Sequence, residues 1–223
     1  MSINAPFITA YGDSAVLIDY RSPEFSREIS ERVQSLAAGL RGNAMWLETV
    51  PAYDSLLCVF DMRKTAMKDA IATLETYVQN HEMRNVTSAA IIDVPVVYGG
   101  EYGPDFDSMC EALKLTPEAL IKAHSEETYL VCMLGFLPGF CFLSEAPPRL
   151  HHPRRPVPRT QVAAGSIGIA GWQTGIYGLE SPGGWQIIGR TPLTMFDARK
   201  DVPSLLQAGD RLRFMPSTAE VFT

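Results

Sequence analysis

The chain has 223 residues, of which 46% are hydrophobic and 20% are charged, and its formal net charge at pH 7 is -6. These values are typical of a globular protein, and the length is sufficient for two small domains, each with its own core. The negative charge argues against non-specific binding to nucleic acid, and no apolar run approaches the roughly 18 residues of a membrane-spanning helix. The N-terminus also lacks a basic segment followed by an apolar one, so we expect a cytoplasmic protein with neither a nucleic-acid nor a membrane partner.

The first hundred residues alternate between strand-like and helix-like patterns. Apolar residues recur at steps of three and four in two stretches, which predicts two amphipathic helices. We expect Ser22 to cap the first helix, with Pro23 at its first helical position, and Thr65 to cap the second. The predicted strands cover residues 7–20, with an interruption at Gly12, and residues 45–50, 56–60 and 89–98. The order β-α-β-β-α-β predicts a ferredoxin-like split βαβ domain, with two helices on one face of an antiparallel sheet.

After residue 97 the pattern changes to two short helices followed by many short strands. A helix is predicted over residues 106–113, with Asp105 as its cap, and Thr116 and Pro117 open a second helix that ends near His124. Beyond them, β-type runs are separated by turns rich in glycine and proline. These predicted strands cover residues 128–134, 166–170, 176–180, 185–188, 193–196 and 211–215. The sequence therefore predicts an α+β protein, with an N-terminal α/β domain over residues 1–90 and a β-barrel domain over residues 91–223.

The cysteines and histidines do not have the spacing of a metal site. The cysteines show no CxxC pattern and lie in or beside apolar runs, so we expect buried, reduced thiols at Cys58, Cys110, Cys132 and Cys141. The adjacent His151 and His152 would point to opposite sides of an extended strand, which is poor geometry for one ion. His124 has two interpretations: a general base, or a solvated histidine that the dipole favours at a helix C-terminus.

The segment from residue 152 to residue 192 has the least ordinary composition of the chain. It contains eight glycines, which indicates turns or a close approach of the backbone to another group. Just before and within it, residues 147–161 contain four arginines and two histidines without an acidic residue. Such a basic loop can attract a small anion or an acidic partner. The alternative is that the glycines only form turns and the arginines are only solvated.

Four segments resemble a known protein family. They are VPVVYGGEYGPDF, HSEETYLVCMLGFLPGF, PRRPVPRTQVAAGSIGIAGWQTGIY and LESPGGWQIIGRTPL, and the resemblance extends over almost the whole chain. The family, which is carboxyltransferase-like, is variously called allophanate hydrolase subunit 1, the sporulation-kinase inhibitor family and the 5-oxoprolinase B-subunit family. The resemblance implies a cyclophilin-like barrel in the C-terminal domain and a larger partner subunit of related fold, fused or separate. The sequence departs from the family pattern at Phe142, where tyrosine is usual, and at Gly178, where proline is frequent.

The resemblance also implies an activity, the ATP-dependent opening of 5-oxoproline to L-glutamate. This chain and the larger subunit would activate the lactam by phosphorylation, and a third subunit would complete ring opening. ATP with magnesium is expected in the complex with the partner subunits, since this chain has no Walker-type phosphate loop. Arginine side chains suit phosphoryl or carboxylate oxygens, and a Gly-Gly turn can offer backbone N–H groups to an anion. We therefore expect catalytic roles for Arg159, Gln173, Tyr177 and Arg190, and substrate contacts for Phe136, Phe140, Arg155, Gly183, Gly184 and Trp185.

Two other functions are compatible with the same resemblance. The family includes an inhibitor of a sporulation histidine kinase, and a cyclophilin-like barrel offers an apolar groove to a proline-bearing peptide. Related modules also form the carboxyltransferase part of urea carboxylases, which would require a biotinylated partner. At the level of residues, Arg154 and Arg155 could face the partner subunit, and Gly183 and Gly184 could simply form a tight hairpin turn.

Overall fold

The computed structural model describes residues 4–82 and 91–222 of the chain. The chain divides into two compact units, residues 1–88 and residues 89–223, which we call the N-terminal unit and the C-terminal unit. The predicted domain boundary at residue 90 lies outside the described residues and stays a prediction. Within the described ranges, no helix combines the length and the apolar character needed to cross a membrane.

The N-terminal unit is a four-stranded antiparallel sheet with two helices. Its elements are β1 (Phe7–Tyr11), β2 (Ala15–Asp19), α1 (Arg27–Leu40), β3 (Trp46–Pro51), β4 (Ser55–Phe60) and α2 (Met67–Asn80). The strand order is β1-β2-β4-β3, and each neighbouring pair is antiparallel. Consequently β2 and β3 run parallel to each other, are connected by α1 and have β4 between them. This is the predicted split βαβ arrangement, and the apolar faces of both helices contribute to its core.

The edge strand of this sheet is not the one that the sequence pattern predicts. The strand predicted over residues 7–20 is a hairpin that turns at Gly12, where φ is +63°. Its first half, β1, occupies the sheet edge beside β2. The final strand of the predicted pattern, near residues 89–98, belongs to the C-terminal unit instead. The sheet therefore keeps the ferredoxin-like strand order but takes its edge strand from the chain before the split βαβ element.

Both helices of the N-terminal unit begin later than predicted. The first begins at Arg27, and Ser26 caps it by accepting a hydrogen bond from the N–H of Ile29 at 3.3 Å. The prediction of Ser22 and Pro23 at this position was therefore wrong. The N-cap residue of the second helix is an alanine rather than Thr65, and it makes no side-chain capping hydrogen bond.

The C-terminal unit is a closed seven-stranded barrel with two helices and a two-stranded ribbon. Its elements are β5 (Ile92–Tyr98), α3 (Phe106–Leu113), α4 (Pro117–Ser125), β6 (Tyr129–Leu134), β7 (Cys141–Leu143), β8 (Arg159–Val162), β9 (Ser166–Ala170), β10 (Gln173–Ile176), β11 (Ser181–Gly183), β12 (Gln186–Arg190) and β13 (Arg211–Pro216). Around the barrel the order is β10-β7-β6-β13-β5-β12-β9, and β8 pairs with β11 in the ribbon. Short 3-10 turns cover Pro148–Leu150 and Ala219–Phe222. The predicted α+β class, the barrel and both helices are confirmed.

Two of the predicted barrel strands are altered. The run at residues 193–196 forms only an isolated bridge, between Phe196 and Ser204. The strand predicted over residues 176–180 shares only its first residue with a barrel strand, because β10 ends at Ile176 and the chain leaves the barrel there. The cysteine prediction is confirmed, since the four thiols are free and buried.

His124 lies in the last turn of α4 and is fully buried in the barrel core. Its Nδ1 atom is 2.8 Å from the Tyr98 hydroxyl, and its Nε2 atom is 3.1 Å from Oγ1 of Thr174. Because the Thr174 hydroxyl donates to the carbonyl of Gly168, it accepts from Nε2–H, and Nδ1 accepts from Tyr98. Burial lowers the pKa of His124 to about 3, so the ring is neutral at physiological pH. The prediction of a solvated histidine was wrong, and the burial does not suit a general base.

We expect His124 to make the protein less stable as the pH falls from 6.5 towards 3. The unfolded chain takes up a proton near the ordinary histidine pKa of 6.5, whereas the folded chain excludes it until pH about 3. One such proton contributes a slope of about 1.4 kcal/mol per pH unit to the free energy of unfolding. Urea unfolding at closely spaced pH values measures the slope. The slope should shrink by this amount in His124→Gln and persist in His152→Gln. Equal slopes in the wild-type protein and in both variants would contradict the assignment of the slope to His124.

Candidate functional site

The candidate site is built around the carboxylate of Asp105, whose side chain is only 3% exposed. Nη1 of Arg155 donates to Oδ1 at 2.5 Å. Arg159 donates through Nη1 and Nη2 to the two carboxylate oxygens, at 2.7 Å each, in a bidentate pair. The backbone N–H of Ile187 donates to Oδ2 at 2.7 Å. We call Asp105, Arg155 and Arg159 the Arg–Asp–Arg cluster.

The local backbone explains why this carboxylate faces the arginines. Asp105 is the N-cap residue of α3, as predicted, but its side chain makes no capping hydrogen bond. Instead its N–H donates to the carbonyl of Ile187 at 3.0 Å, so the start of α3 and the strand β12 exchange two hydrogen bonds. This exchange turns the carboxylate away from the helix and towards the basic loop. The sequence signal for it was the loop itself, which carries four arginines and no acid of its own.

The Arg–Asp–Arg cluster is ionised and carries a net charge of +1. Burial raises the pKa of Asp105, but the hydrogen bonds from Arg159 and Ile187, together with the charges of Arg159 and Arg155, lower it overall. The cluster differs from the expectation that Arg155 and Arg159 bind an anionic ligand directly. Arg159 donates to an internal carboxylate through both Nη atoms and Arg155 through Nη1, so a ligand that bound these atoms would have to displace the carboxylate. Nε of Arg155 is buried and has no hydrogen-bond partner among the described residues.

A cavity of about 300 Å³ opens beside the basic loop, which carries the two arginines of the cluster. One side of it is aromatic and is centred on Phe140, which is 1% exposed. The ring centroid of Phe140 lies 4.6 Å from that of Phe142 and 4.9 Å from that of Tyr177. It lies 5.5 Å from the ring of Trp185, at a nearly perpendicular angle. The remaining lining residues are Phe136, Arg154, Pro158, Pro182, Gly183 and Gly184. A concave, mainly apolar cavity with few polar groups is typical of a small-ligand site.

Phe136 covers part of this cavity in an unfavourable backbone conformation. Its φ angle is +65°, in the left-handed region that favours glycine, and its side chain is 65% exposed. The Phe136 ring nevertheless contacts Phe140 edge-on, with centroids 5.5 Å apart. The loop is held close to the chain after β10, because Gly178 lies against the backbone of Pro138 and Gly139 with no room for a Cβ atom. Residues in strained backbone conformations of this kind cluster at active sites and ligand-binding sites.

Two polar side chains reach the cavity. The guanidinium carbon of Arg154 lies 5.9 Å from the centre of the Trp185 ring, within the range of a cation–π contact. The Tyr177 side chain is 1% exposed, and burial raises its pKa, while a hydrogen bond from the Trp185 backbone and the charges of Arg154 and Arg159 act to lower it. Tyr177 therefore stays protonated at neutral pH and can donate its O–H to a ligand.

The structure brings together six of the ten residues that the sequence assigned to the site. These six line the cavity: Phe136, Phe140, Tyr177, Gly183, Gly184 and Trp185. Gln173 lies at the start of β10 and does not line it. Arg190 donates from Nε to the carbonyl of Ala164 at 2.9 Å, and its guanidinium lies 5.5 Å from the Phe222 ring.

The Gly183-Gly184 step is neither the predicted hairpin turn nor an anion nest. Gly183 ends β11, which pairs with β8, and neither glycine has a positive φ. A nest requires neighbouring residues of opposite handedness, so the expectation is corrected here. The carbonyl of Gly184 instead accepts from the N–H of Arg155 at 2.8 Å. Both glycines thus form part of the cavity wall.

The residues of the site do not suit a magnesium ion. Across residues 4–82 and 91–222, no group of three or more His, Cys, Asp or Glu side chains is arranged to hold a metal. Magnesium prefers carboxylate and other oxygen ligands, and the buried carboxylate of the site is already neutralised by two arginines.

A barrel unit with an aromatic cavity and a cationic side chain at its wall is typical of proteins that bind a small ligand or a partner segment. The chain belongs to the family described as carboxyltransferase domain, subdomain C and D, whose model matches residues 6–206. It is 36% identical to the 5-oxoprolinase B-subunit of Bacillus subtilis, over 93% of this chain and 91% of that protein. It is 38% identical to the 5-oxoprolinase B-subunit of Escherichia coli O157:H7, over 92% and 93%.

Solved structures show the same fold. The protein TTHA0988 has a TM-score of 0.79 and 33% identity, over 92% of this chain. This chain spans only 40% of that relative. The urea amidolyase of Kluyveromyces lactis has a TM-score of 0.73 and 22% identity, over 97% of this chain and 15% of that one. At this identity the likeness concerns the fold alone.

We expect Asp105→Asn to lower the free energy of unfolding by about 3 kcal/mol or more, because it leaves two arginines facing a buried group without charge. The matched control is Asp93→Asn, since Asp93 pairs with Arg213 at 3.0 Å but both side chains are about half exposed. Asp93→Asn should lower the free energy of unfolding by less than about 1 kcal/mol. Urea unfolding of the two variants measures the difference. A similar, small loss in both would show that the cluster does not stabilise the C-terminal unit.

Proposed function

We propose that this chain is one subunit of a 5-oxoprolinase, equivalent to the B-subunit of the relatives, in an enzyme that opens the lactam ring of 5-oxoproline to L-glutamate with hydrolysis of ATP. The observation that carries the proposal is the aromatic cavity of about 300 Å³ with one arginine and one buried tyrosine at its wall. It occurs in a chain whose relatives of that name match over more than nine-tenths of both lengths. The likeness to urea amidolyase, at 22% identity, supports the carboxyltransferase alternative less well.

The chemistry assigns a limited task to this subunit. A lactam is a resonance-stabilised amide, and transfer of a phosphoryl group to its oxygen converts it into a better electrophile. The aromatic wall would bind the ring and exclude water from it, and the Tyr177 hydroxyl would donate to the ring carbonyl. Phe142 makes the wall more apolar than the tyrosine that is usual in the family. Binding and orientation of the lactam are thus the roles that suit this chain.

Other subunits would supply the phosphate chemistry. We propose that this chain forms a complex with a larger subunit of related fold and with a third subunit that completes ring opening, and that ATP and magnesium bind in this complex. The names of the relatives, which designate one subunit of an enzyme, support a complex. The greater length of TTHA0988, of which this chain spans 40%, is consistent with a fused partner in that protein. Because none of the residues that line the cavity is acidic, we place the magnesium ion with the partners.

The first test is reconstitution. The chain is mixed with the two candidate partner subunits, 5-oxoproline and ATP, and the release of glutamate and ADP is measured. We expect both products in the complete mixture and neither above background when this chain is omitted. A complete mixture that consumes no ATP and forms no glutamate would refute the assignment for this substrate.

A second test uses two adjacent glycines that differ in the space around them. A methyl group on Gly183 would clash with the Tyr177 hydroxyl and lie 2.9 Å from Cζ of that ring, whereas one on Gly184 would meet Pro158 at an ordinary 3.6 Å. We expect Gly183→Ala to lower turnover of 5-oxoproline at least tenfold, since it displaces the tyrosine, and Gly184→Ala to keep turnover within about twofold. Equal activities of the two variants, both folded by circular dichroism, would exclude a role for Tyr177 at the lactam.

A proline-bearing peptide is the alternative occupant of the same aromatic wall. A histidine kinase inhibitor that used this aromatic wall would bind its target peptide without ATP and without a contact to Arg154. Binding of a peptide by a chain whose complete mixture forms no glutamate would favour this alternative.

A further inference from the structure

Of the four arginines in the basic loop, three lie at or beside the candidate site, and their surroundings differ. Arg155 and Arg159 both donate to Asp105. Arg154, which directly precedes Arg155, lines the cavity instead. Within the described parts of the chain, no carboxylate pairs with its guanidinium. Since an arginine is charged at any physiological pH, the cavity wall carries a cation that no internal anion neutralises.

The backbone on both sides of Arg154 is fixed. His152 exchanges two hydrogen bonds with Gly171, at 2.7 and 3.1 Å. The carbonyl of Pro153 accepts from Nε2 of Gln186 at 3.0 Å. The N–H of Arg155 donates to the carbonyl of Gly184 at 2.8 Å, and its side chain is held by the cluster. Arg154 therefore projects from a rigid segment, so little backbone entropy is lost when a ligand binds to it.

The position of the guanidinium relative to the aromatic wall favours one kind of ligand. The group lies 5.9 Å from the Trp185 ring, and its charge acts on the Tyr177 hydroxyl. A ring that rests on the aromatic wall would thus have a hydroxyl donor and a guanidinium donor within reach. Guanidinium groups bind carboxylates through two parallel hydrogen bonds, and the cavity volume of about 300 Å³ is at the lower end for small-ligand sites.

We propose that Arg154 binds the carboxylate of a small cyclic carboxylic acid whose ring lies on the aromatic wall. The identity of the ligand rests on the proposed function, under which the bound group is the carboxylate of 5-oxoproline. The guanidinium fixes the end of the molecule that does not react, and Tyr177 bonds to the ring carbonyl that does. Arg154 is then a specificity-determining residue, which selects a lactam that bears a carboxylate over one that does not.

The kinetic test uses the complete reconstituted complex. Arg154→Met should raise the KM for 5-oxoproline at least tenfold, change kcat less than threefold and leave the KM for ATP unchanged. Arg149→Met is the matched control, because it removes a charge from the same basic loop at an exposed position outside the cavity. It should behave as the wild-type complex does. An unchanged KM for 5-oxoproline in Arg154→Met, with turnover intact, would overturn the proposal and leave the proposed function standing.

A binding test separates the proposed carboxylate site at Arg154 from the proposed function of the whole enzyme. The full chain is titrated with 5-oxoproline, with cyclopentanecarboxylate, which lacks the lactam, and with pyrrolidin-2-one, which lacks the carboxylate. Binding is followed by tryptophan fluorescence, with Trp185→Phe to assign the signal, and by calorimetry. We expect Arg154→Met to weaken binding of both carboxylates at least tenfold and to leave the pyrrolidin-2-one affinity unchanged.

The outcomes are distinct. If the wild-type chain binds cyclopentanecarboxylate through Arg154 while the complete complex forms no glutamate, the carboxylate site stands and the proposed function fails. If the wild-type chain binds neither carboxylate, or if Arg154→Met weakens all three ligands equally, the carboxylate site is refuted. Equal weakening of binding in Arg149→Met would attribute the effect to the general charge of the loop and would also refute it.

Discussion

The candidate site depends on one buried ionic interaction, in which Asp105 accepts from Arg155, Arg159 and the N–H of Ile187. A carboxylate that is removed from water is costly unless charges and hydrogen bonds compensate it, and this one has both. The interaction links three segments that are far apart in sequence: the start of α3, the basic loop and β12. Because the loop and the residues before β12 also form walls of the cavity, the shape of the cavity follows from this interaction.

The aromatic wall is the second constraint, and it is a matter of packing. Its rings come from the loop before β7, from β7 itself, from the residue after β10 and from the residue before β12, and Phe140 contacts a ring in each of these segments. Perpendicular ring contacts are specific in geometry, so the side chains fix one another. The left-handed Phe136 and the close approach of Gly178 to the neighbouring backbone show that the wall is held in place against local preference. A rigid apolar surface suits the binding of a flat ring.

Charged and polar groups in the C-terminal unit fall into two classes with different tasks. His124 and the Arg–Asp–Arg cluster form internal hydrogen bonds that serve the fold. Arg154 and Tyr177 line the cavity and are the polar residues that we propose bind the ligand. This division accords with the proposed function, in which this chain binds and orients a lactam and partner subunits supply phosphate and metal.

The sequence by itself determined the features that depend on local pattern. The amphipathic helices, the barrel, the buried thiols and the family follow from periodicity, turn residues and motifs. Of the ten residues that the sequence assigned to the site, six line one cavity, and their roles stay predictions. It did not determine which groups pair across long separations. Asp105 lies 50 and 54 residues from its two arginines, and a local pattern cannot show that they neutralise each other while Arg154 stays open to the cavity. Nor does a strand pattern name the partner strand, which is why β5 was assigned to the wrong sheet. Only the tertiary structure decides such contacts, because their free energy comes from burial and pairing between distant segments.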